Sequence, residues 1–151
     1  MKGISLLKHN DHNINKIINL IKNIDIAFEF RDSLWFNDNT YNIMKKYNTT
    51  IAIVNINNKF GWTTLNNGFN PTLDKFVKTS SYIYVRFHGS KGQYIGSYDT
   101  KVLRELINFI EPLHIKKAYI YFNNTDSNSN ISKLSDAIHD SKKLYDLINN
   151  E

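Results

Sequence analysis

Two hydrophobic periodicities alternate along the chain. Segments rich in β-branched and aromatic residues predict β-strands, and four of them lie near residues 24–30, 50–56, 81–87 and 117–122. Apolar residues at helical spacing separate these segments. Strands that alternate with helices form a parallel sheet through right-handed crossovers. The pattern therefore predicts an α/β protein of four strand–helix units, in a single domain over residues 1–151.

The helical segments carry recognisable boundaries. The spacing predicts helices over residues 13–23 and 39–47, and a third helix that Asp99 or Thr100 opens and Pro112 ends, since proline disfavours a helical residue before it. A last helix is expected to carry a row of apolar residues, namely Ile131, Leu134, Ile138, Tyr145 and Ile148. Residues 57–80 contain Asn, Gly and Pro, and they predict a long loop with one helical turn near 73–77.

Each predicted strand becomes polar towards its C-terminal end. Side chains of a strand alternate between two faces, so Glu29 and Arg31 share one face of the first strand, and Arg86 and His88 share one face of the third. The same trend places Asn55 and Asn57 at the end of the second strand and Tyr119, Tyr121 and Asn123 along the fourth. In (β/α)8 barrels the active site lies at this end of the strands. The alternation therefore predicts a polar site on a face common to the four strands.

Composition favours a globular protein of the cell interior. Hydrophobic residues make up 41% of the 151 positions and charged residues 22%, which is typical of a folded domain. The sequence has no cysteine, which excludes disulfides and thiol catalysis. Apolar runs fall far short of the ~20 residues that cross a bilayer, and the N-terminal stretch is too short for a signal peptide. The expectation is a cytoplasmic location without membrane contact.

Arginine positions are more informative than net charge. The formal charge of +5 rests mostly on lysine, and it gives a nucleic-acid surface only weak support. Arginine occurs at Arg31, Arg86 and Arg104, and the first two lie at predicted strand ends. A guanidinium can bind phosphate through two parallel hydrogen bonds. The arginines therefore indicate an anionic ligand.

Three segments carry a family resemblance. EFRDSLW at 29–35, YVRFHGSKGQYIGSYDTKVL at 84–103 and YIYFNN at 119–124 resemble, in order and spacing, the YecE-like family, also called domain of unknown function 72. The resemblance covers nearly the whole chain and implies the C-terminal half of a TIM-like (β/α)8 barrel. The family's Gly-Trp-rich first strand and its next three strands have no counterpart here. Asp32 stands where the family usually has His, and Leu34 where it usually has Ser.

The resemblance also implies a set of site residues, although the family has no assigned activity. Glu29 and His88 are the candidates for catalysis, with His88 as general acid or base and Glu29 as base or orienting group. The residues implied to bind a ligand are Arg31, Trp35, Arg86, Gly89, Tyr94, Tyr98, Asn123 and Asn124. Gly89 would supply a loop turn rather than a side chain.

Three functions stay open at the level of sequence. The first is a site for a phosphate-bearing ligand or nucleic acid, with or without hydrolysis, in which aromatic residues stack on bases or sugars. The second is a carbohydrate site, where hydrolysis normally needs two carboxylates and Asp32 is the nearest second to Glu29. The third is a non-catalytic binding module or a truncated half-barrel. Whether the chain is an enzyme is not decided by these residues.

No metal or cofactor is predicted, and a partner is. Glu29, Asp32 and His88 lack the spacing of a metal site. Four parallel strands leave two open edges, which invite pairing. We expect the chain to form a homodimer that closes a barrel, to pair with a separately encoded N-terminal half, or to be a truncated product of low stability.

Overall fold

The structure is a computed structural model that describes residues 11–20, 24–56, 68–125 and 135–150. Its helices are α1 (Asp11–Leu20), α2 (Asp38–Lys46), α3 (Thr100–Ile110) and α4 (Asp136–Asn149). Its strands are β1 (Ala27–Phe28), β2 (Thr50–Ile51), β3 (Ile53–Ile56), β4 (Gly68–Asn70), β5 (Tyr82–Phe87) and β6 (Lys117–Phe122). Within these ranges no helix combines the length and apolar character that a membrane span needs.

Parallel pairing joins the strands that the sequence predicts. β1 pairs with β2, β3 with β5, and β5 with β6, all in parallel. The strands form two sheets, β1–β2 and β4–β3–β5–β6. β2 and β3 connect them as one path interrupted only at Ala52, whose N–H donates to the carbonyl of Phe28 at 2.9 Å, and we treat the two sheets together as one curved sheet. The four predicted strand positions are therefore β1, the β2–β3 path, β5 and β6. The structure confirms a mixed α/β protein with parallel strands and, in the described residues, four α-helices.

One further strand lies in the segment predicted to be a loop. β4 runs antiparallel to β3, with Asn55 opposite Phe69. The expected helical turn is present as the 3-10 turn Leu73–Lys75, whereas residues 57–67 lie outside the described part of the chain. Since alternate residues of a strand offer their backbone groups to opposite edges, β1 and β4 follow one another along the same edge of the β2–β3 path.

Side-chain caps begin two helices close to their predicted starts. The Asp99 carboxylate accepts a hydrogen bond from the N–H of Val102 at 3.1 Å, which confirms that residue 99 opens α3. Asn37 accepts from the N–H of Thr40 at 3.0 Å and begins α2. Each cap satisfies an amide that has no partner inside its helix, and such a contact is worth about 1 kcal/mol.

Helices cover one face of the sheet and build two hydrophobic clusters. The cluster under α3 and α4 consists of Ile53, Ile83, Val85, Phe87, Tyr98, Leu103, Leu106 and Leu144. The cluster under α1 and α2 consists of Ile18, Phe28, Phe30, Trp35, Met44 and Ile51. The apolar side chains of the strands thus determine which face the helices cover, and the polar side chains that alternate with them lie on the opposite face.

Helix α4 buries a different face from the row expected of it. Ile138, Tyr145 and Ile148 are 54%, 66% and 54% exposed, whereas Asp140 and Leu144 are buried. Apolar spacing alone predicts that a charged residue such as Asp140 faces solvent. Asp140 is instead buried, and the polar contacts described below satisfy its carboxylate. Ile131 and Leu134 lie outside the described residues.

Side chains bridge distant strands across the face that helices do not cover. Tyr119 Oη on β6 donates to Oδ2 of Asp25, next to β1, at 2.9 Å. Tyr82 Oη on β5 accepts from the N–H of Ile26 at 2.7 Å and donates to its carbonyl at 3.0 Å. Neighbouring strands lie about 4.8 Å apart, so β1 and β6 would be roughly 14 Å apart in a flat sheet. These contacts require the sheet to curve with this face concave.

Candidate functional site

A polar cluster lies on the concave face where three parallel strands end. Arg86 Nη1 lies 2.5 Å from Glu29 Oε2, and Arg31 Nη2 lies 3.5 Å from Glu29 Oε1. Asn123 Oδ1 accepts from Nε of Arg86 at 3.5 Å. One carboxylate therefore holds two guanidinium groups, one from the end of β1 and one from β5. We call Glu29, Arg31, Arg86, His88 and Asn123 the strand-end cluster.

The register of the strands decides which side chains reach this face. Residues paired in a parallel ladder point to the same side of the sheet, and Arg86 is paired with Val54 on β3 and Tyr121 on β6. Asn55 is paired with Phe87 and therefore lies on the helix-covered face. The expectation that all four strands end in polar residues on one face is wrong for the second strand. Asn57 lies outside the described residues.

The two arginines differ in how firmly they are held. The side chain of Arg31 is 51% exposed, whereas those of Arg86 and Glu29 are 27% and 17% exposed. Arg86 contacts both Glu29 and Asn123, and Arg31 has the longer contact to the same carboxylate. Arg31 is therefore the cation that can turn towards a ligand at the lower cost, and Arg86 is the fixed one.

His88 lies close to these charges and has no exposed surface. Burial, and after it the neighbouring Arg86 guanidinium, lowers the pKa of His88 to about 4, against the opposing effect of Glu29. The ring centroid of Tyr94 lies 5.5 Å from that of the imidazole. His88 is therefore neutral near pH 7, and the strand-end cluster carries one carboxylate and two guanidinium groups, a net charge of +1.

Two tyrosines extend the concave face next to Arg86. The rings of Tyr84 and Tyr121 lie 5.1 Å apart with an angle of 35° between their planes, and Tyr121 is 47% exposed. Sequence reasoning named Tyr121 only as part of the fourth strand and did not include it among the site residues. The signal for it was its position two residues before Asn123, which places both side chains on one face. A half-exposed aromatic ring beside a guanidinium can pack against a base or a sugar.

Trp35 and Tyr98, both implied to bind a ligand, lie in the core instead. Trp35 is 5% exposed and stacks on Phe30 with ring centroids 4.8 Å apart. Tyr98 is 1% exposed, and its hydroxyl accepts from the N–H of Gly89 at 2.8 Å and donates to the carbonyl of Asn55 at 3.3 Å. Burial raises the pKa of Tyr98. In this arrangement both rings pack in the core, and neither is exposed to a ligand.

The loop after β5 closes on itself. Gly89 has φ of +116°, and a Cβ there would lie 2.4 Å from the carbonyl oxygen of Gly92, so this position requires glycine. The N–H of Lys91 donates to the carbonyl of Ile95 at 3.0 Å, and the N–H of Tyr94 donates to the carbonyl of His88. These amides are used inside the loop. Gly89 therefore shapes the loop, and the loop does not offer these amides to an anion.

A buried aspartate that the sequence did not indicate fixes this loop to α4. Asp140 is fully buried, and its carboxylate accepts from Ser97 Oγ at 2.5 Å, the N–H of Tyr98 at 2.9 Å, Asn124 Nδ2 at 2.7 Å and Lys143 Nζ at 3.2 Å. We call these five residues the Asp140 network. Three of its partners lie 16 to 43 positions away in sequence, so no local pattern marks it. Asn124, implied as a ligand contact, is fully buried in it.

Across the described ranges no three His, Asp or Glu side chains lie together as metal ligands do. Asp32, the second acid considered near Glu29, accepts from the N–H of Leu34 at 2.9 Å and begins the 3-10 turn Ser33–Trp35. The carboxylate of Asp32 therefore serves as the cap of this turn.

Together these features define an α/β protein with parallel strands and a charged cluster at the strand ends. A family model described as "Protein of unknown function DUF72" matches residues 6–150. The chain therefore belongs to the DUF72 family, which is the YecE-like family that its motifs resemble. Among curated proteins, none matches the chain significantly.

Two solved structures of DUF72 family proteins are similar to this chain. One, from Thermotoga maritima MSB8, has a TM-score of 0.67 at 20% identity, and the match covers 97% of this chain and 54% of that one. The other, from Enterococcus faecalis V583, has a TM-score of 0.70 at 19% identity, covering 99% and 56%. The chain thus spans about half the length of these structures. At such identities the likeness shows the fold alone.

Proposed function

We propose that the strand-end cluster binds a phosphate-bearing ligand. The observation that carries the proposal is the shared carboxylate: Glu29 fixes Arg86 at 2.5 Å and holds half-exposed Arg31 at 3.5 Å. A phosphate has oxygens for both guanidinium groups, and charge-assisted bidentate contacts are among the strongest in proteins. The net charge of +1 favours an anion, and Arg31 can exchange its long contact for a shorter one to the ligand.

The geometry favours binding without hydrolysis. A general acid or base has to come within hydrogen-bond reach of the reacting group. Glu29 is occupied by two arginines, and His88 has no exposed surface. Their proposed role is therefore to position Arg86 and to fill the space close to it. Tyr121, exposed beside Arg86, would contact the organic part of the ligand.

The proposed site has a natural place in a barrel. We propose that β1, the β2–β3 path, β5 and β6 form half of a TIM-like (β/α)8 barrel, in which ligands bind at the C-terminal ends of the strands. The curvature that joins Asp25 to Tyr119 supports this arrangement. On the concave face the large tyrosines of β5 and β6 lie beside the small Ala52 and Val54 of the neighbouring β2–β3 path.

The test is a titration by isothermal calorimetry with inorganic phosphate and pyrophosphate, at low and high salt. Arg31→Ala is expected to weaken pyrophosphate binding about 10-fold or more, because a hydrogen bond to a charged group is worth roughly 1.5–3 kcal/mol. Arg104→Ala is the matched control, since Arg104 is an exposed arginine on α3, away from the cluster. Wild-type affinity should fall as salt rises.

Two results would overturn the proposal. Equal loss of affinity in Arg31→Ala and Arg104→Ala would mean that phosphate binds through general positive charge. Salt-insensitive binding of a neutral glycan such as maltotriose, with no binding of either phosphate probe, would assign the site to carbohydrate instead.

A further inference from the structure

The outer edge of β6 is unpaired among the strands that the structure describes. β6 is the last strand of its sheet, and no other strand in the described ranges pairs with that edge. An open edge of six residues is a template for another strand. Beside it, Ile138, Tyr145 and Ile148 form an exposed apolar row on α4, since spacings of seven and three residues return to the same side of a helix. We call β6 and this row the β6 edge.

The opposite side of the fold is open in the same way. β1 pairs with β2 on one side only among the described strands, and two large apolar residues that precede it in the chain are exposed: Leu20 at 78% and Ile24 at 65%. We call β1 with Leu20 and Ile24 the β1 edge. A folded domain rarely leaves such residues in solvent beside two unpaired strand edges.

We propose that a second copy of this chain covers both edges at once. The β6 edge of each copy would lie against the β1 edge of the other, twice, about a twofold axis parallel to the strands. One copy supplies four parallel strand positions, and two copies supply eight, the number that closes a (β/α)8 barrel. Closed rotational symmetry then leaves neither edge exposed.

The packing of the helices supports this partner. Within one copy α1 packs against α2, and α3 packs against α4, so α4 of one copy against α1 of the next would continue an existing relation. Because both halves of the interface come from this chain, its two edges have only to fit each other. Closure also brings two strand-end clusters to one mouth. The inference rests on the proposed half-barrel and does not depend on the proposed ligand.

The first test measures mass by sedimentation equilibrium over a dilution series. The wild-type chain should give twice its 17.7 kDa mass and dissociate on dilution. The double variant Ile138→Asp/Tyr145→Asp should raise the dissociation constant at least 100-fold, with far-ultraviolet circular dichroism showing that it still folds. Leu34→Asp is the matched control: Leu34 is 64% exposed but lies in the turn after β1, at the strand ends, and should leave the dimer unchanged.

The second test identifies which edges meet. The chain has no cysteine, so Ala118→Cys on β6 and Ile24→Cys beside β1 each introduce a single thiol at an exposed position. An equimolar mixture treated with a short bismaleimide should give mainly the 24–118 cross-link. A predominance of 118–118 cross-links would overturn the proposal, since it requires two β6 edges to meet. A wild-type chain that stays monomeric at every concentration overturns it too, including a monomer that binds a separately encoded half-barrel.

Discussion

Glu29 and Arg86 lie 57 positions apart in sequence and form an ion pair with an Nη1–Oε2 distance of 2.5 Å. The pair spans the β2–β3 path, because β1 and β5 lie on opposite sides of it. Its members are 17% and 27% exposed, so solvent screens the attraction less than it does at an open surface. The pair therefore fixes both the curvature of the strand ends and the position of the arginine proposed to bind phosphate.

Replacing Glu29 by glutamine should separate these two roles. Glu29→Gln keeps the size of the side chain and leaves two guanidinium groups without their anion. We expect a loss of about 1–3 kcal/mol in the free energy of unfolding, less than for a fully buried pair, while phosphate binding is retained because the cluster becomes more positive. Urea denaturation measures the loss, and Glu105→Gln on the exposed side of α3 is the control. Equal stability of the two variants would show that the pair contributes nothing.

The hydroxyl of Tyr82 is expected to hold the first strand to the curved sheet. It bonds both backbone groups of Ile26, at 2.7 and 3.0 Å, and Tyr82→Phe removes both contacts without changing the ring. We expect a loss of about 1–2 kcal/mol and faster hydrogen exchange of the Ile26 amide. Tyr121→Phe is the control, since that residue is 47% exposed. Unchanged exchange at Ile26 would mean that other contacts fix β1.

The sequence predicted the order and direction of the strands better than it predicted their faces. β-Branched and aromatic runs mark β5 and β6 clearly, and the helical spacing between them requires a parallel crossover. For the second strand both alternating sets are apolar, Ile51 with Ile53 and Ala52 with Val54. No local sequence pattern indicates which of the two sets packs against the helices. The sequence-based prediction chose the wrong set and therefore placed Asn55 in the polar site. Only the pairing of Asn55 with Phe87 decides it.

The alternation of side chains along the strands predicted part of the candidate site, whereas the family motif predicted residues that lie outside it. Period-two alternation brings Glu29, Arg31, Arg86 and Asn123 together, because it needs only the strands and a common edge. Trp35, Tyr98 and Asn124 came from a family motif, and a motif does not distinguish a residue that contacts a ligand from one that builds the frame. Their burial assigns them to the frame.

The Asp140 network should be among the most sensitive points of the structure. Asp140→Asn replaces a fully buried carboxylate that accepts four hydrogen bonds. The amide nitrogen of asparagine accepts no hydrogen bond, so some of these donors would lose their acceptor. We expect a loss of roughly 3–5 kcal/mol, as for other buried charges separated from their partners. The free energy of unfolding in urea measures it.

A matched change on the same helix provides the control for this prediction. Asp146 is an exposed aspartate of α4, and Asp146→Asn should change stability by less than about 0.5 kcal/mol. In Asp140→Asn the amide resonances of residues 88–98 should also shift, because the network fixes that loop. A loop spectrum identical to that of the wild type would contradict the positioning role, even where stability falls.

The burial of His88 predicts a specific dependence of stability on pH. Its pKa is about 4 in the folded chain against 6.5 for an unperturbed histidine, so between these values the unfolded chain binds more protons. Stability then rises with pH in this window and is lost as pH falls through it. One pKa unit corresponds to 1.36 kcal/mol, so His88 should account for a loss of roughly 2 kcal/mol between pH 7 and pH 5.

The difference between two histidine variants isolates this contribution. Protonation of carboxyl groups also lowers stability in acid, but this contribution is the same in His88→Gln and in His139→Gln. His139 is exposed on α4 and serves as the control. Urea unfolding of both variants at pH 7 and pH 5 should show a smaller loss in His88→Gln, whatever its stability at pH 7. If both variants lose the same free energy of unfolding between pH 7 and pH 5 as the wild type, His88 is protonated in the folded chain at pH 5. The strand-end cluster would then carry +2 at pH 5, and phosphate affinity should rise on acidification.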